Sequence, residues 1–153
     1  MPRHSETRTL PWTPAEMFDL VADVKRYPEF LPWVVAVRPC RQEGDMAVWD
    51  MSVGFKSFRE TFTSRVRLER PVHIDVDYVS GPLKHLRNDW HFHDVPGGGT
   101  RLEFSVDFEF RSKFFEKLAG AFFHEAFKRM VASFEARAAK LYGSRSLSPT
   151  SAA

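Results

Sequence analysis

The sequence lacks the features that mark several large classes of protein. Cys40 is its single cysteine, which excludes an internal disulfide and suits a reducing compartment. No apolar run approaches the ~20 residues that span a bilayer, and residues 1–9 are too polar for a signal peptide. A glycine-rich phosphate loop, a nucleophile elbow and a Cys/His pair are also missing. We therefore expect a cytoplasmic protein that contacts a membrane at most peripherally, on its inner face.

The composition is that of one ordinary domain. The chain has 153 residues, of which 43% are hydrophobic and 27% charged, so it can bury a normal core without disulfides or metals. The last residues are poor in apolar side chains. We expect a single ligand-binding domain over residues 1–142 and a disordered tail over 143–153.

Aromatic residues are abundant and concentrated in the last third. Nine of the fifteen phenylalanines lie between Phe104 and Phe134. Residues 102–110 alternate apolar and polar side chains, which predicts a strand. Residues 112–142 repeat apolar side chains every three to four positions, which predicts a long helix. The predicted apolar stripe of this helix comprises Phe114, Phe115, Leu118, Phe122, Phe123, Phe127, Met130, Val131, Phe134 and Leu141.

No second long helix is predicted to cover that stripe, so the helix should lie on a sheet. A long helix on a curved antiparallel sheet often leaves an apolar hollow, where small ligands bind. The other elements are predicted from alternation, turns and a capping box at Thr13-Pro14-Ala15-Glu16. They are a strand at 3–10, a helix from Pro14, a short helix near 25–30, and strands at about 33–43, 45–55, 57–70, 72–79, 84–94 and 100–110.

Several short motifs lie within these elements. They are Leu10-Pro11, 18–24 (FDLVADV), 27–33 (YPEFLPW), 53–56 (VGFK), 61–66 (TFTSRV), 81–83 (GPL), Trp90-x-Phe92, 108–110 (FEF) and 132–138 (ASFEARA). In this order they resemble the coenzyme Q-binding START-domain family, which includes the mitochondrial ubiquinone chaperone and the bacterial ribosome-association toxin.

The resemblance implies an α+β, helix-grip fold of the START/Bet v 1-like kind. In that fold a seven-stranded antiparallel sheet wraps around a long C-terminal helix, two short helices follow strand 1, and a cavity of lipid size lies between the layers. Leu83 stands where the family usually has Phe. This difference is expected to alter the mouth of the cavity and not the class of ligand.

Strand alternation and the helical stripe select the candidate ligand-binding residues. Each aromatic side chain among them has plain core packing as its alternative. Phe30 and Trp33 project from a segment stiffened by two prolines, which predicts either a gate or a seal on one end of the core. The full set is Phe30, Trp33, Trp49, Met51, Glu60, Phe62, Leu83, Leu86, Asn88, Trp90, Phe104, Phe122 and Phe127.

Glu60 and Asn88 are the polar members of this set. Because unpaired buried polar groups are costly, each must either pair with a neighbouring protein group or face a polar atom of the ligand. For Glu60 a third reading is acid–base chemistry, as in a polyketide cyclase of similar fold.

The histidines suggest a metal site without establishing one. Asp89, His91 and His93 share one strand face at alternate positions, a spacing that could hold a metal ion. That face is opposite Trp90 and Phe92, so it is expected to face solvent and to lack a fourth protein ligand. We therefore assign no metal ligand, and no catalytic residue is assigned either.

Positive charge is concentrated near the C-terminus. Residues 111–145 contain eight basic and three acidic side chains, a net charge of +5 in a chain whose total is +2. This segment is either a solvated helix face or a surface that attracts anionic lipid or RNA.

Three functions follow as hypotheses. The first is a non-enzymatic carrier or chaperone of ubiquinone, or of a similar prenyl lipid, that supports respiratory electron transport and requires no cofactor. The alternative is a ribosome-association toxin-like module that binds the large ribosomal subunit and blocks subunit joining. The third is a polyketide cyclase-like enzyme. DNA is not expected as a partner.

Overall fold

One antiparallel sheet and one long helix form most of the protein. The structure is a computed structural model that describes residues 3–55, 58–143 and 145. The helices are α1 (Pro14–Ala22), a 3-10 helix (Val24–Glu29) and α2 (Lys113–Tyr142). The strands are β1 (Arg3–Leu10), β2 (Val34–Glu43), β3 (Met46–Phe55), β4 (Phe58–Glu69), β5 (His73–Ser80), β6 (Leu83–Asp94) and β7 (Thr100–Phe110).

The seven strands form a single antiparallel sheet in the order β1-β7-β6-β5-β4-β3-β2. Strands β2 to β6 each pair with the next strand along the chain, and β1 pairs with β7 to form one edge of the sheet. This arrangement, with two short helices after β1 and α2 at the end, confirms the predicted α+β helix-grip fold. The predicted boundaries lie within a residue or two of the observed ones.

Local sequence explains how α1 begins. The Thr13 hydroxyl accepts a hydrogen bond from the backbone N–H of Glu16 at 3.1 Å, and the Glu16 carboxylate accepts one from the backbone N–H of Thr13 at 3.0 Å. This is the predicted capping box, which satisfies two N–H groups that the first helical turn leaves unpaired.

Strand β7 supplies the centre of the core. Its burial alternates as predicted, with Leu102, Phe104, Val106, Phe108 and Phe110 buried. The C-terminal half of α2 closes over this core through Phe134, which is fully buried. The Phe134 ring meets the rings of Tyr27, Phe30 and Trp90 edge-on, with centroids 5.3, 5.1 and 5.1 Å away.

The predicted apolar stripe of α2 was wrong at three positions. Phe114, Leu118 and Leu141 are 76%, 67% and 49% exposed. At 3.6 residues per turn, Phe114 lies about 180° and Leu118 about 140° around the helix from the buried Phe123. These two side chains therefore lie on the far face of α2, while Leu141 lies in its last turn.

The predicted tail, residues 143–153, lies outside the described residues except for two positions. The Gly143 carbonyl accepts a hydrogen bond from the Trp12 indole N–H at 3.0 Å. Arg145 makes two hydrogen bonds to the Glu16 carboxylate, at 2.6 and 2.9 Å, and holds the pKa of that carboxyl below its ordinary value. The chain at these two positions is therefore attached to the start of the domain.

We predict that two phenylalanines of α2 differ sharply in their contribution to stability. Phe134→Ala should lower the free energy of unfolding by about 3–5 kcal/mol, because it opens a cavity among three other rings. Phe114→Ala, the same change on the exposed face, should stay within about 0.5 kcal/mol of the parent protein. Urea titration followed by circular dichroism measures both. Equal losses would mean that the orientation of α2 is wrong.

Candidate functional site

An apolar chamber lies between the inner face of the sheet, the 3-10 helix and α2. Its free volume is about 120 Å³. Side chains from five strands form its floor and walls, and α2 forms its roof. The lining residues are Val24, Tyr27, Leu31, Trp33, Val34, Trp49, Met51, Val53, Phe62, Ser64, Val66, Ile74, Val76, Leu86, Asn88, Trp90, Phe122, Phe123, Ala126, Phe127, Met130 and Phe134.

A second, more open hollow of about 400 Å³ adjoins this chamber. The two share Trp33, Phe122 and Ala126, so these three side chains form the partition between the chamber and the outside. Trp33 is only 9% exposed, and its backbone carbonyl accepts a hydrogen bond from Gly54 at 2.9 Å. Ala126 is the smallest side chain of the partition, so we describe this point as the mouth of the chamber.

Two polar side chains of the chamber wall, Asn88 and Tyr27, have partners within the protein. The Asn88 amide donates a hydrogen bond to the Ser105 carbonyl at 2.8 Å and accepts one from the Trp90 indole N–H at 2.8 Å. The Tyr27 hydroxyl donates to the Val21 carbonyl. Asn88 was predicted either to pair with a neighbouring protein group or to face a polar atom of the ligand. In the structure it pairs with protein groups. The remaining surface of the chamber wall is mainly apolar.

Nine of the thirteen candidate ligand-binding residues line the chamber. They are Trp33, Trp49, Met51, Phe62, Leu86, Asn88, Trp90, Phe122 and Phe127. Leu83 and Phe104 do not, because they are buried in the core itself. Phe104 packs behind Trp90, with ring centroids 4.7 Å apart, so it supports the chamber wall without reaching the space.

The remaining two candidates, Phe30 and Glu60, also lie outside the chamber lining. Phe30 packs on the outer side of Phe134. Glu60 shares an inward strand face with Phe62 but lies two residues before it, nearer the start of β4 and outside the chamber. It borders a shallow hollow with Arg111, Ser112 and Phe115 at the start of α2. Alternation gave the correct face for Glu60 but not its distance from the ligand space.

Sequence reasoning missed part of the lining. The missed residues are Val24, Tyr27, Leu31, Val34, Val53, Ser64, Val66, Ile74, Val76, Phe123, Ala126, Met130 and Phe134. Alternation along β3 and β4 could have identified Val53 and Val66, since they share faces with selected neighbours, and alternation along β5 could have identified Ile74 and Val76. Ala126 carried no such signal, because a small side chain on a buried helix face is common in any core.

A hydrogen bond between α2 and the 3-10 helix, which we call the clasp, lies beside Phe30 and Phe134. We call this end of the chamber its closed end. Arg137 on α2 donates a hydrogen bond to Glu29 of the 3-10 helix at 2.5 Å, and its guanidinium lies 5.1 Å from the centre of the Phe30 ring. This hydrogen bond holds the pKa of the Glu29 carboxyl below its ordinary value. The clasp is therefore complete at neutral pH and weakens as the pH falls through that lowered pKa. Because the clasp restrains the closed end, the mouth is the less restrained end of the chamber.

A seven-stranded sheet that grips one helix over an apolar chamber defines a START-like protein. The chain belongs to the family described as polyketide cyclase / dehydrase and lipid transport, whose pattern matches residues 10–135. It is 35% identical over 137 residues to the ribosome association toxin RatA of Rickettsia prowazekii, covering 86% of this chain and 92% of that one. It is 33% identical over 147 residues to the mitochondrial coenzyme Q-binding protein COQ10 homolog B of Xenopus laevis, covering 92% of this chain and 59% of the frog protein.

Solved structures agree on the fold. The solution structure of an 18 kDa protein from Caulobacter crescentus is 39% identical, has a TM-score of 0.72 and covers 94% of this chain and 100% of that one. The Zhui aromatase/cyclase from Streptomyces sp. R1128 reaches a TM-score of 0.77 at 18% identity, covering 90% and 93% of the two chains. At 18% identity, the likeness to the Zhui aromatase/cyclase is a likeness of fold alone. No helix among the described residues has the length and apolar character needed to cross a bilayer.

We predict that Asn88→Leu destabilises the protein even though it makes the chamber more apolar. The change leaves the Trp90 indole N–H without an acceptor in an apolar wall, which should cost about 1–3 kcal/mol of unfolding free energy. Met51→Leu, a volume-conserving change in the same lining, is the control and should cost less than about 1.5 kcal/mol. Thermal and urea unfolding measure both variants. A stabilised Asn88→Leu protein would contradict the role given to this amide.

Proposed function

We propose that this protein is a non-enzymatic carrier or chaperone of ubiquinone, or of a similar prenyl lipid, in support of respiratory electron transport. The observation that carries the proposal is the apolar chamber with its aromatic walls and its mouth beside Trp33. Flat quinone rings stack well on tryptophan and phenylalanine faces. Each buried methylene of an isoprenoid tail contributes about 0.8 kcal/mol. The name of the frog relative, a coenzyme Q-binding protein, supports the same ligand class.

The chamber must widen to hold such a ligand. Its free volume of about 120 Å³ is below the ~300–1,000 Å³ of ordinary ligand pockets. The adjoining hollow of about 400 Å³ is separated from it only by the mouth residues. We expect the quinone ring to occupy the chamber and the tail to pass the mouth into this hollow, with outward movement of Phe122 and Trp33.

The chamber is poorly equipped for catalysis. Its lining, within the described part of the chain, includes no acidic or basic side chain. Glu60, the residue that a cyclase mechanism would need, borders a different hollow. Acid–base catalysis requires such groups within hydrogen-bond reach of the substrate. These points support a carrier and disfavour the cyclase-like alternative, and we propose that the protein is not an enzyme.

A docking surface lies about one to three helical turns from Phe122 and Ala126 at the mouth. Phe114 and Leu118 project from the first turns of α2, and Lys113 and Lys117 lie beside them on the exposed surface. Large apolar side chains bordered by lysines suit an anionic lipid surface. We propose that this surface places the mouth against the inner face of the membrane, so that ligand passes without crossing water. The protein would then work in the cytoplasm and at that membrane.

A second candidate function has its own support. The bacterial relative from Rickettsia prowazekii carries the name ribosome association toxin, and the match covers nearly all of that chain. The net charge of +5 over residues 111–145 suits contact with ribosomal RNA phosphates. A module of this kind would bind the large ribosomal subunit and interfere with subunit joining.

We predict that filling the mouth blocks the chamber. Ala126→Phe should abolish the rise in thermal midpoint caused by added ubiquinone, a rise worth about 2.7 kcal/mol at a ligand concentration of 100 Kd. Ala132→Phe makes the same change on the exposed face of α2 and should respond like the parent protein. Far-UV circular dichroism checks that both variants are folded. Undiminished binding by Ala126→Phe would contradict the proposed route.

One pair of variants separates the carrier from the ribosome-directed module. Lys113→Glu/Lys117→Glu should weaken binding to anionic phosphatidylserine vesicles, at about 1 kcal/mol per lysine. Phe114→Ser/Leu118→Ser should weaken the same binding by removing buried apolar area. For a membrane-docking carrier, neither variant changes the ratio of ribosomal subunits to monosomes on sucrose gradients after overexpression. If the parent protein raises that ratio, the charge reversal abolishes the effect, and vesicle binding is absent, the second function is correct and the first is wrong.

A further inference from the structure

The outer face of the sheet, opposite the chamber, carries metal-ligating side chains that the proposed function does not use. His73 on β5 lies directly opposite His91 on β6, and Asp89 precedes His91 by two residues on the same face. One ligand atom from each lies within 4.8 Å of the other two. We call these three residues the outer-face triad.

The triad differs from the spacing that the sequence suggested. His93 was the expected third member, but its ring hydrogen-bonds Glu103 at 2.8 Å. The His91 ring is 6.3 Å from that of His93 but stacks on that of His73 at 4.2 Å, with an interplanar angle of 7°. The neighbouring strand therefore provides the nearer imidazole. Two imidazoles and a carboxylate from adjacent strands form an open three-ligand set.

Groups around the triad hold its carboxylate in position. Asp89 accepts a hydrogen bond from Arg87 Nε through Oδ2, at 3.3 Å, while its Oδ1 lies 2.9 Å from His73 Nε2. One oxygen is thus anchored and the other directed into the triad. Metal-binding carboxylates are commonly oriented by such outer hydrogen bonds.

Three carboxylates lie around Arg87 on the same patch, and Arg65 and Arg67 of β4 lie directly opposite Asp77 and Asp75. Arg87 forms ion pairs with Asp75 at 3.0 Å, Asp77 at 3.2 Å and Asp89 at 3.3 Å, and it is the only arginine or lysine within ion-pair distance of these carboxylates among the described residues. Asp75 also lies directly opposite Asp89, a like-charge pair that destabilises a sheet. A further cation on this face would relieve this repulsion.

We propose that His73, Asp89 and His91 form a binding site for a divalent cation of the zinc class. Two nitrogens and one oxygen suit a borderline metal, with water in the open position. Ligand bonds of about 2.0–2.2 Å require the three side chains to rotate towards one another, which their partial exposure permits. The metal would tie β5 to β6 behind the chamber, because the intervening pair Ile74 and Trp90 lines it from the inner face.

Isothermal titration of chelator-treated full-length protein with zinc chloride tests this proposal. We expect one zinc ion per chain and a higher thermal midpoint in its presence. His73→Ala and His91→Ala should each weaken binding at least about tenfold, because each removes a direct ligand. His93→Ala is the matched control, since it removes a histidine from the same face of the same strand, and it should leave the affinity within about twofold.

Two further measurements keep the proposal falsifiable. Asp89→Asn preserves the shape of the ligand and should also weaken binding, which covers the case in which a histidine variant fails to fold. Magnesium chloride should not compete for the site, because imidazole ligands disfavour a hard cation. The proposal is overturned if zinc binds without saturation at one ion per chain, if His93→Ala weakens binding as much as His91→Ala, or if magnesium binds equally well.

Discussion

The packing of large rings between α2 and the sheet is the constraint on which the rest of the structure depends. At the C-terminal half of the helix, Phe134 meets Tyr27, Phe30 and Trp90 edge-on. Nearer the N-terminal half, the Phe123 ring stacks on Phe62 with centroids 5.5 Å apart, which holds the helix at the thickness of two rings above the sheet. The chamber is the space left between these two supports.

This arrangement predicts that one end of the chamber opens more readily than the other. The closed end is fastened by the Arg137–Glu29 hydrogen bond as well as by ring packing. At the mouth, Ala126 contributes little contact area between Trp33 and Phe122. Elements with few apolar contacts open at the lowest free-energy cost. Ligand exchange is therefore expected at the mouth, close to the exposed Phe114 and Leu118.

Periodicity in the sequence was sufficient for the order of the elements and for the inward faces of the strands, and the resemblance to the START-domain family supplied the helix-grip arrangement. The alternation of β7 and the capping box of α1 depend on neighbouring residues alone, so they could be predicted. The distance of each side chain from the chamber could not be predicted, because it depends on what packs around that side chain. Phe104 lies behind Trp90, and Glu60 lies outside the chamber although it is on the correct face. The cross-strand register, which places His73 beside His91, could not be predicted from the sequence either. The exposed Phe114 and Leu118 show that a long aromatic helix can carry apolar side chains on the face that points away from the sheet.

The central claim is that the chamber holds a prenyl lipid, and the most direct measurement is mass spectrometry of the organic extract of protein purified from its native cells without added ligand. The account predicts ubiquinone or a similar prenyl lipid at up to one molecule per chain in the parent protein, and none in a variant whose mouth is filled by a phenylalanine. An extract without apolar ligand from both proteins, together with no shift in thermal midpoint on adding ubiquinone to the parent, would contradict it.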